Sequence, residues 1–516
     1  MKKVFILLMS TILLGGLTSC NEWLDVDADT RIGENVLFED GEGMRTALNG
    51  VYRLISTKEL YCGELNYGLA SVLGCEYEES KLPSAYRYMV FYYGEWYTYY
   101  QSGITDPIWK KAFNALANIN NLLQNVEASD ESIFEWGLLE KEMFMAELRG
   151  LRGLLHFDLL RLFAPAPIAD DGKPHIPYVE KYPDYQPTKL TVKQVMGKIE
   201  TDLLYAREIL AKYDTTTVTD PPVPAPYAIY TPSVRFTTSP STSVVQGAWF
   251  CNRGTRMNFY AATGLLMRLY LWWNDESKLD NIIDWAYNEI WFKRWTRFGE
   301  YGWTTASKLK PSGGNRNSMH RKMYDDIWLG AYNTNLDEIW EAKAKPSSSY
   351  IMRHTDDYKN SIFAGDPDDL RLNLFEDDKT SSRWVWPELT GTAVATIRNT
   401  QMTLGPIMRC SEIMLSYSEA LARKGRLPEA IEVLKKFRTQ RGAISRVLDT
   451  NMTEAEYFKN LDMEWCKEFL SDGQKFFYYK RQNKPVYRGE KLDAYDFGGI
   501  NCWVVPQPEA ESSYVL

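Results

Sequence analysis

The 516-residue sequence predicts a mostly α-helical protein that contains tetratricopeptide-like helix pairs, and three observations support this class. Apolar residues recur at steps of three and four along several segments, which places them on one face of a helix. The segment from Met143 to Phe163 is apolar around nearly its whole circumference, as expected of a helix at the centre of a core. Residues 408–441 carry the small and large residues of a tetratricopeptide helix pair at the right spacing.

The N-terminus has the features of a lipoprotein export signal. Two lysines precede an apolar run at residues 4–17, which is too short to span a membrane stably. Residues 17–20 read LTSC and resemble the bacterial lipobox, in which the cysteine is lipidated and becomes the mature N-terminus. We therefore predict a signal peptide over residues 1–19, a lipidated Cys20, and one folded unit over residues 20–516. The alternative is an ordinary signal in which this cysteine stays unmodified.

Further helices follow from the same apolar periodicity. They are predicted, in chain order, at Gly43–Ile55, Asp106–Val126, Leu190–Tyr213, Asn258–Trp273 and Leu279–Phe298. Asp106 is expected to cap its helix, with Pro107 in the first turn. Within the central segment Gly150 and Gly153 each cost roughly 1 kcal/mol of helix propensity against alanine, so we expect them to let another helix approach closely. Residues 214–246 are rich in proline, threonine and serine and predict an irregular surface excursion.

The C-terminal helix pair has the most specific pattern. Its matching positions are Ser418, Leu421, Gly425, Ala430, Leu434 and Phe437. Gly425 is expected to make the turn between the helices, and Ala430 to let the second helix approach the first. One such pair cannot bury its apolar face alone, so about three or more are expected to stack.

Two stretches are crowded with aromatic residues that follow no helical period. One runs from Tyr86 to Tyr100, and the other from Gly299 to Trp328 around the sequence SGGN. We interpret both as loops, and we call them the first and second aromatic patches. Tryptophan and tyrosine offer a flat apolar face and a hydrogen-bonding tip, which suit a sugar ring and its hydroxyls. The alternative is that these rings pack on the core.

Composition excludes several classes of function. A formal charge of −9 and a pI near 5.3 argue against nucleic-acid binding. No two of the four histidines lie within four residues of each other, which argues against a histidine-built metal site, and no cofactor is predicted. Six cysteines follow Cys20 in this exported chain, an even number that permits disulfides, with Cys62–Cys75 the first pair to test.

No catalytic motif is present among GxSxG, HExxH, GxxxxGK[ST] and GxGxxG, so we predict a protein that is not an enzyme. Carboxylates are plentiful, and a glycosidase pair is the enzymatic alternative. The clusters Glu76–Glu79 and Asp366–Asp369 are interpreted as solvated surface charge, the second with a weak cation site as its alternative.

Short fragments in a fixed order carry a family resemblance. Besides the lipobox they are Leu24-Asp25-Val26, Ala47-Leu48-Asn49-Gly50-Val51-Tyr52, Trp109 with Asn118, Ile119, Asn120 and Leu122, Ala146-Glu147-Leu148-Arg149-Gly150-Leu151-Arg152, Arg256, Met408-Arg409 with Glu412, Glu419-Ala420, Arg438 with Arg441-Gly442, Glu464, Glu468, residues 472–477, and Pro506 with Glu509. Together they resemble the SusD/RagB family of bacterial nutrient-uptake lipoproteins. The chain departs from the family pattern at Gly153, where alanine is frequent, and at Trp465, where arginine is frequent.

The resemblance implies a SusD-like fold, with tetratricopeptide-like helix pairs packed against a loop-rich face that binds ligand. It implies a lipid anchor in the outer membrane, exposure at the cell surface, and a SusC-type TonB-dependent transporter as partner. Ligands of the family are mostly glycans, and peptides are the alternative; a surface glycoside hydrolase is the second alternative. Since the family binds ligand among loop aromatics, the candidate ligand-binding residues are Trp96, Tyr97, Tyr99, Tyr301 and Trp303, with Arg87, Asn315 and Arg316 as hydrogen-bonding candidates.

Overall fold

The structure is a computed structural model that describes residues 34–91, 97–215, 235–236, 241–242, 245–246, 248–291, 304–345, 347, 349–385, 402–495 and 504–512. Its α-helices are α1 (Glu34–Leu37), α2 (Gly41–Ile55), α3 (Leu69–Leu73), α4 (Ser84–Phe91), α5 (Tyr97–Ala128), α6 (Gly137–Phe163), α7 (Val192–Asp214), α8 (Phe259–Trp273), α9 (Leu279–Asp284), α10 (Leu336–Ala344), α11 (Asp356–Ile362), α12 (Cys410–Arg423), α13 (Leu427–Gln440), α14 (Glu454–Glu468), α15 (Gln474–Arg481) and α16 (Glu509–Ser512). The predicted mostly helical class is confirmed. No helix within these ranges is long and apolar enough to cross a bilayer.

The strands are few and short. They are β1 (Pro174–Pro177), β2 (Lys189–Thr191), β3 (Ser241–Thr242), β4 (Val245–Gln246), β5 (Ile327–Tyr332) and β6 (Leu404–Arg409). Each pairs antiparallel with its neighbour in this order, and β5–β6 is the longest pair. Strand β6 leads directly into α12, so this ribbon joins the middle of the chain to the C-terminal helices.

Helix α6 is the central element, as its apolar circumference predicts. It is buried along nearly all of its length and packs against α5 on one side and α7 on the other. A Cβ atom at Gly150 would lie 2.7 Å from Met257 Cγ and 3.2 Å from Ala206 Cβ, and one at Gly153 would lie 3.2 Å from Leu203 Cγ. The two glycines therefore admit close neighbours on one side of α6, as predicted.

Helices α12 and α13 form the predicted helical hairpin. The Ser418 hydroxyl donates to the carbonyl oxygen of Ala430 at 2.8 Å, which ties the two helices together. Gly425 makes the turn with a φ of +73°, a conformation that favours glycine. The hairpin packs against α8, α9 and α14, so its apolar face is buried by neighbouring helices.

The aromatic patches are more regular than predicted. Residues 84–91 are helix α4, and the helix predicted to start at Asp106 begins at Tyr97, so that Pro107 lies inside it. The interpretation of the first patch as a loop is therefore wrong for most of its length. In the second patch Trp328 lies in β5 and is only 3% exposed, which places it in the core.

Two other predicted segments are described in part. The helix predicted over 279–298 is α9 followed by π-helical turns as far as Trp291, and the remainder lies outside the described residues. Most of the predicted excursion at 214–246 also lies outside them, apart from the end of α7, residues 235–236 and the β3–β4 pair. The predicted signal peptide and Cys20 precede the first described residue.

The cysteines in the described ranges are buried and form no disulfide. Cys62 and Cys75, the first pair to test, do not form a disulfide. Cys62 Sγ lies 3.9 Å from the carbonyl oxygen of Ala331, and Cys75 Sγ lies 3.7 Å from that of Leu73. Burial raises the pKa of both thiols to about 12, which makes them poorly reactive.

A cluster of charged side chains is fully buried between the ribbon, α13 and α14. We call it the buried charge cluster; it comprises Asp326, Asp366, Asp369, Arg371, Arg409, Arg438, Arg441, Glu464, Lys467 and Glu468. Glu468 accepts hydrogen bonds from Arg409 at 2.7 Å and from Arg441 at 2.9 and 3.0 Å. Burial raises the pKa of Glu464, but Lys467 and Arg371 outweigh it and hold that pKa at about 2.

The interpretation of the two acidic stretches as solvated charge is wrong for their main residues. Asp366 is 0% exposed and pairs with Arg438 at 2.6 Å and with Lys467 at 2.6 Å. Glu76 is 1% exposed, and its Oε2 accepts from the backbone N–H of Ser471 at 2.6 Å. These carboxylates hold distant parts of the chain together instead of facing water.

Glu76 makes stability depend on pH. Burial raises the pKa of this carboxyl from 4.5 to about 7, so the folded state holds a proton that the unfolded state has lost. The free energy of unfolding therefore falls as pH rises from 4.5 through 7, by roughly 3 kcal/mol at most. Glu76→Gln keeps an acceptor for Ser471 and cannot ionise, so the variant should gain stability over the wild type between pH 5 and pH 8.

Urea unfolding at pH 5, 6, 7 and 8 checks this prediction. The matched control is Glu78→Gln, because Glu78 lies in the same segment and pairs near the surface with Arg353 at 2.7 Å. The control should show no such gain at pH 8. A Glu76→Gln variant whose advantage does not change with pH would show that this carboxyl titrates normally.

Candidate functional site

The described parts of the first aromatic patch lie on two helices, α4 and α5, which pack against each other. Tyr86, on α4, is buried, and its hydroxyl lies 3.0 Å from both carboxylate oxygens of Glu64. Arg87, the next residue on α4, is partly buried. Tyr97 and Tyr99 fall in the first turn of α5, their side chains are not described, and Trp96 lies outside the described residues. The patch is therefore mixed, with Tyr86 in the core.

The second patch places its hydrogen-bonding candidates on an exposed turn. Asn315 is exposed and closes a tight turn with Ser312, and the two glycines between them have positive φ angles. Arg316 donates from Nη2 to the carbonyl oxygens of Asn373 and Phe375, at 3.1 and 2.7 Å. Arg316 could therefore contact a ligand only through guanidinium nitrogens other than Nη2. Tyr301 and Trp303 lie outside the described residues.

The buried charge cluster fixes the backbone directly after Tyr301 and Trp303 in sequence. Thr304 donates its N–H to Asp326 Oδ1 at 2.5 Å, and its carbonyl accepts from Arg441 Nη1 at 2.9 Å. Thr304 is itself fully buried. The backbone of the second patch is therefore held, at the residue after Trp303, by charges inside the protein.

A second anchor holds the same segment further along. Asp325 accepts from Lys308 Nζ at 2.9 Å and contacts His320 Nδ1 at 2.8 Å. Although burial raises the pKa of Asp325, His320 and Lys308 together lower it below its usual range. Tyr324 stacks on the His320 ring with 4.7 Å between centroids. Residues 304–326 are thus tied down at several points, which suits a surface that must present groups to a ligand without losing order.

Metal-ligand geometry occurs at one place in the described ranges. The ligand atoms of Asp170, Asp171 and His175 lie within 4.8 Å of one another. The aspartates are exposed, and Asp171 Oδ1 already lies 2.8 Å from His175 Nε2. A hydrogen-bonded surface group accounts for this arrangement, and it gives no argument for a metal.

Sequence reasoning missed the function of the charged residues near these patches. The sequence shows Arg441 and Glu468 as positions in family-like fragments and Asp326 as an ordinary polar residue. It does not show that all three side chains are buried. The available signal was the C-terminal spacing of charges, with Glu464 and Glu468 one helical turn apart. That spacing alone does not distinguish a buried pair from an exposed one.

Comparison with known families matches both halves of the chain. Residues 22–231 match a SusD-like model described as starch-binding and associating with the outer membrane, and residues 257–514 match the SusD family model. No curated protein matches the sequence.

Solved structures share the fold at low sequence identity. A SusD-like carbohydrate binding protein from Bacteroides vulgatus has 16% identity and a TM-score of 0.60, with 92% of this chain and 96% of that one covered. A SusD superfamily protein from Bacteroides thetaiotaomicron has 19% identity and a TM-score of 0.58, with 89% and 92% covered. Another from Bacteroides vulgatus has 18% identity and a TM-score of 0.60, with 92% and 98% covered. With matches over both halves, this chain belongs to the SusD/RagB family.

Proposed function

We propose that this protein is a surface-exposed lipoprotein, anchored in the outer membrane through Cys20, that captures a glycan fragment and delivers it to a SusC-type TonB-dependent transporter. The observation that carries the proposal is the family match of both halves, one of them to a model described as starch-binding. The lipobox-like residues 17–20 support the anchor. In this role the protein binds and hands on its ligand without cleaving it.

The proposed ligand surface comprises the candidate residues of the two aromatic patches. Trp96, Tyr97 and Tyr99 of the first patch and Tyr301 and Trp303 of the second would stack on sugar rings. Stacking buries the apolar face of a sugar while its hydroxyls stay available for hydrogen bonds. Hydrogen bonds would come from Arg87, Asn315 and Arg316. The anchoring of Thr304 and Asp325 supports the proposal, because a fixed segment loses little conformational entropy on binding.

Replacing Trp96 with alanine is expected to weaken glycan binding by about tenfold or more while the melting temperature stays nearly unchanged. The reason is that a stacking residue contributes to the complex and little to the fold. The matched control is Trp340→Ala, because Trp340 is fully buried and contacts Tyr67 with 4.8 Å between ring centroids. That control should lower the free energy of unfolding by about 3–5 kcal/mol. A large drop in melting temperature for Trp96→Ala would instead assign Trp96 to the core.

A binding panel tests the ligand class. Soluble polysaccharides and mixed oligopeptides are titrated into the protein by calorimetry, and each mixture is assayed for cleavage products. Binding of one glycan family without products is the expected result. Binding of peptides alone would replace the glycan with a peptide ligand, and products would overturn the proposal that the protein only binds.

A further inference from the structure

A small pocket opens among the C-terminal helices, apart from both aromatic patches. It lies between α8, α12, α14 and α15, beside the end of α6, and measures about 310 Å³ including its open mouth. Its walls contain Arg161, Arg268, Trp272, Trp465 and Gln474, none of which belongs to the patches. The enclosed part has room for one or two water-sized groups, which is too small for a hexose ring.

The carboxylates around this pocket are already occupied by arginines. Glu412 accepts from Arg268 Nε and Nη2, both at 2.6 Å. Arg161 bonds to Asp158 through Nε at 3.0 Å. Arg481, also on the wall, is paired with Glu419 on α12. Each cation is thus held in a fixed position by its own carboxylate.

Several hydrogen-bond donors of the residues that line the pocket are not used by the protein groups described. Trp272 and Trp465 are 1% and 4% exposed, and their indole nitrogens have no acceptor within the described part of the chain. Gln474 accepts from Arg161 through Oε1 at 3.0 Å, which leaves its NH₂ group as a donor. Arg268 uses Nε and Nη2 for Glu412 and leaves Nη1 over. Buried donors without acceptors are costly, so a ligand with acceptor atoms would be stabilised here.

Two guanidinium groups of like charge also line the pocket, and each is paired with a carboxylate. Arg161 and Arg268 are both on the wall, and Arg161 also stacks over the Phe477 ring at 3.9 Å from its centroid. Burial lowers the pKa of Arg161, and the positive charge of Arg268 lowers it further in spite of Asp158. An anion in the pocket would relieve this repulsion.

We propose that this pocket binds a carboxylate group, which would accept from Arg268 Nη1, the Gln474 amide and the indole N–H groups. A carboxylate is planar, offers two acceptor oxygens and suits guanidinium donors. It would come either from a free small carboxylic acid or from a carboxylate carried on a peptide chain. The proposal is independent of glycan capture, since no residue of the aromatic patches takes part.

Calorimetric titration of the full chain in detergent tests the proposal, with acetate as the probe and acetamide as its neutral counterpart at constant ionic strength. A capped Gly-Glu-Gly peptide, compared with capped Gly-Gln-Gly, represents the chain-borne source.

Gln474→Glu keeps the acceptor for Arg161 and replaces the donor with a carboxylate oxygen, so it should weaken binding about tenfold or more. Trp465 stacks on Tyr478 with 4.6 Å between ring centroids, and Trp465→Phe keeps an aromatic ring there. This variant should weaken binding several-fold, because it loses one hydrogen-bond donor.

Trp340→Phe is the matched control, because its indole nitrogen is likewise buried without an acceptor in the described ranges, and it does not line the pocket. The expected result is binding of acetate or of the Glu peptide, not of acetamide or the Gln peptide, with loss in both pocket variants and none in the control. Binding of acetate alone assigns the free acid, and binding of the Glu peptide alone assigns the chain-borne source. No binding of either carboxylate, or equal binding by folded pocket variants, would overturn the proposal.

Discussion

Replacing Glu468 with glutamine is expected to lower the free energy of unfolding by about 3–5 kcal/mol, the usual cost of removing one partner from a buried ion pair. Glu468 is fully buried and accepts from Arg371, Arg409 and Arg441. Glutamine has the same shape but leaves these guanidinium groups without their negative charge, and its NH₂ group would face other donors. Guanidinium chloride unfolding at pH 7 measures the difference.

Glu432→Gln is the matched control for this change. Glu432 is exposed on α13, and among the described residues its ion pair is with Lys435, at 3.0 Å and one helical turn away. Its loss should therefore change stability by about 0.5 kcal/mol or less. The wild-type advantage of Glu468 is expected to be full above its unfolded pKa, near 4.5, and to fade as pH falls below it. Stability falls with falling pH because the arginines, despite burial, hold the pKa of Glu468 in the folded state well below its usual range. A cost under about 1 kcal/mol would show that the remaining carboxylates suffice for the arginines.

Gly473→Ala is expected to destabilise the protein by about 2–4 kcal/mol. Gly473 precedes α15 with a φ of +73°, and a Cβ atom there would lie 2.4 Å from the carbonyl oxygen of Leu65 and 2.8 Å from that of Asn66. Backbone atoms cannot move aside as the end of a side chain can. The Gly473 N–H, which donates to Ser71 Oγ at 3.1 Å, would be displaced as well. Urea unfolding monitored by circular dichroism measures the loss.

Gly425→Ala is the matched control, because it tests the cost of the backbone conformation without a steric clash. Gly425 has the same φ of +73°, and a Cβ atom there meets nothing within 4 Å. The change should therefore cost only the left-handed backbone penalty, about 1 kcal/mol. Equal losses in the two variants would mean that α3 and α15 separate easily and that their close approach does not constrain the fold.

The parts of the fold that sequence predicts are those governed by local pattern. Helix α6 is buried on all sides, so its apolar residues are visible without knowing the neighbours. The α12–α13 hairpin needs a small residue at Ala430 and a turn at Gly425, and both are short-range requirements. The candidate ligand residues rest on a different basis, since composition located the aromatic patches and family resemblance gave them a function.

The parts that sequence could not predict depend on partners far along the chain. Asp366 is buried because Arg438, 72 residues away, neutralises it, and no local pattern reports that pairing. Glu76 meets Ser471 across 395 residues. The start of α5 at Tyr97 was missed because aromatic residues have low helix propensity and Pro107 usually marks a first turn. In a helix of 32 residues the loss of one N–H is tolerated.

The far end of α6 has a consequence for how the chain acquires its structure. Two of its last carbonyls, those of Arg161 and Leu162, accept from Lys480 Nζ, and the Leu162 carbonyl also accepts from the backbone N–H of Val505 at 2.9 Å. These partners are synthesised more than 300 residues later. Until they arrive, the central helix keeps polar groups that its apolar surroundings cannot satisfy. We therefore expect folding to be slow and concerted, completed after translation has passed Val505, with no stable N-terminal half on the way.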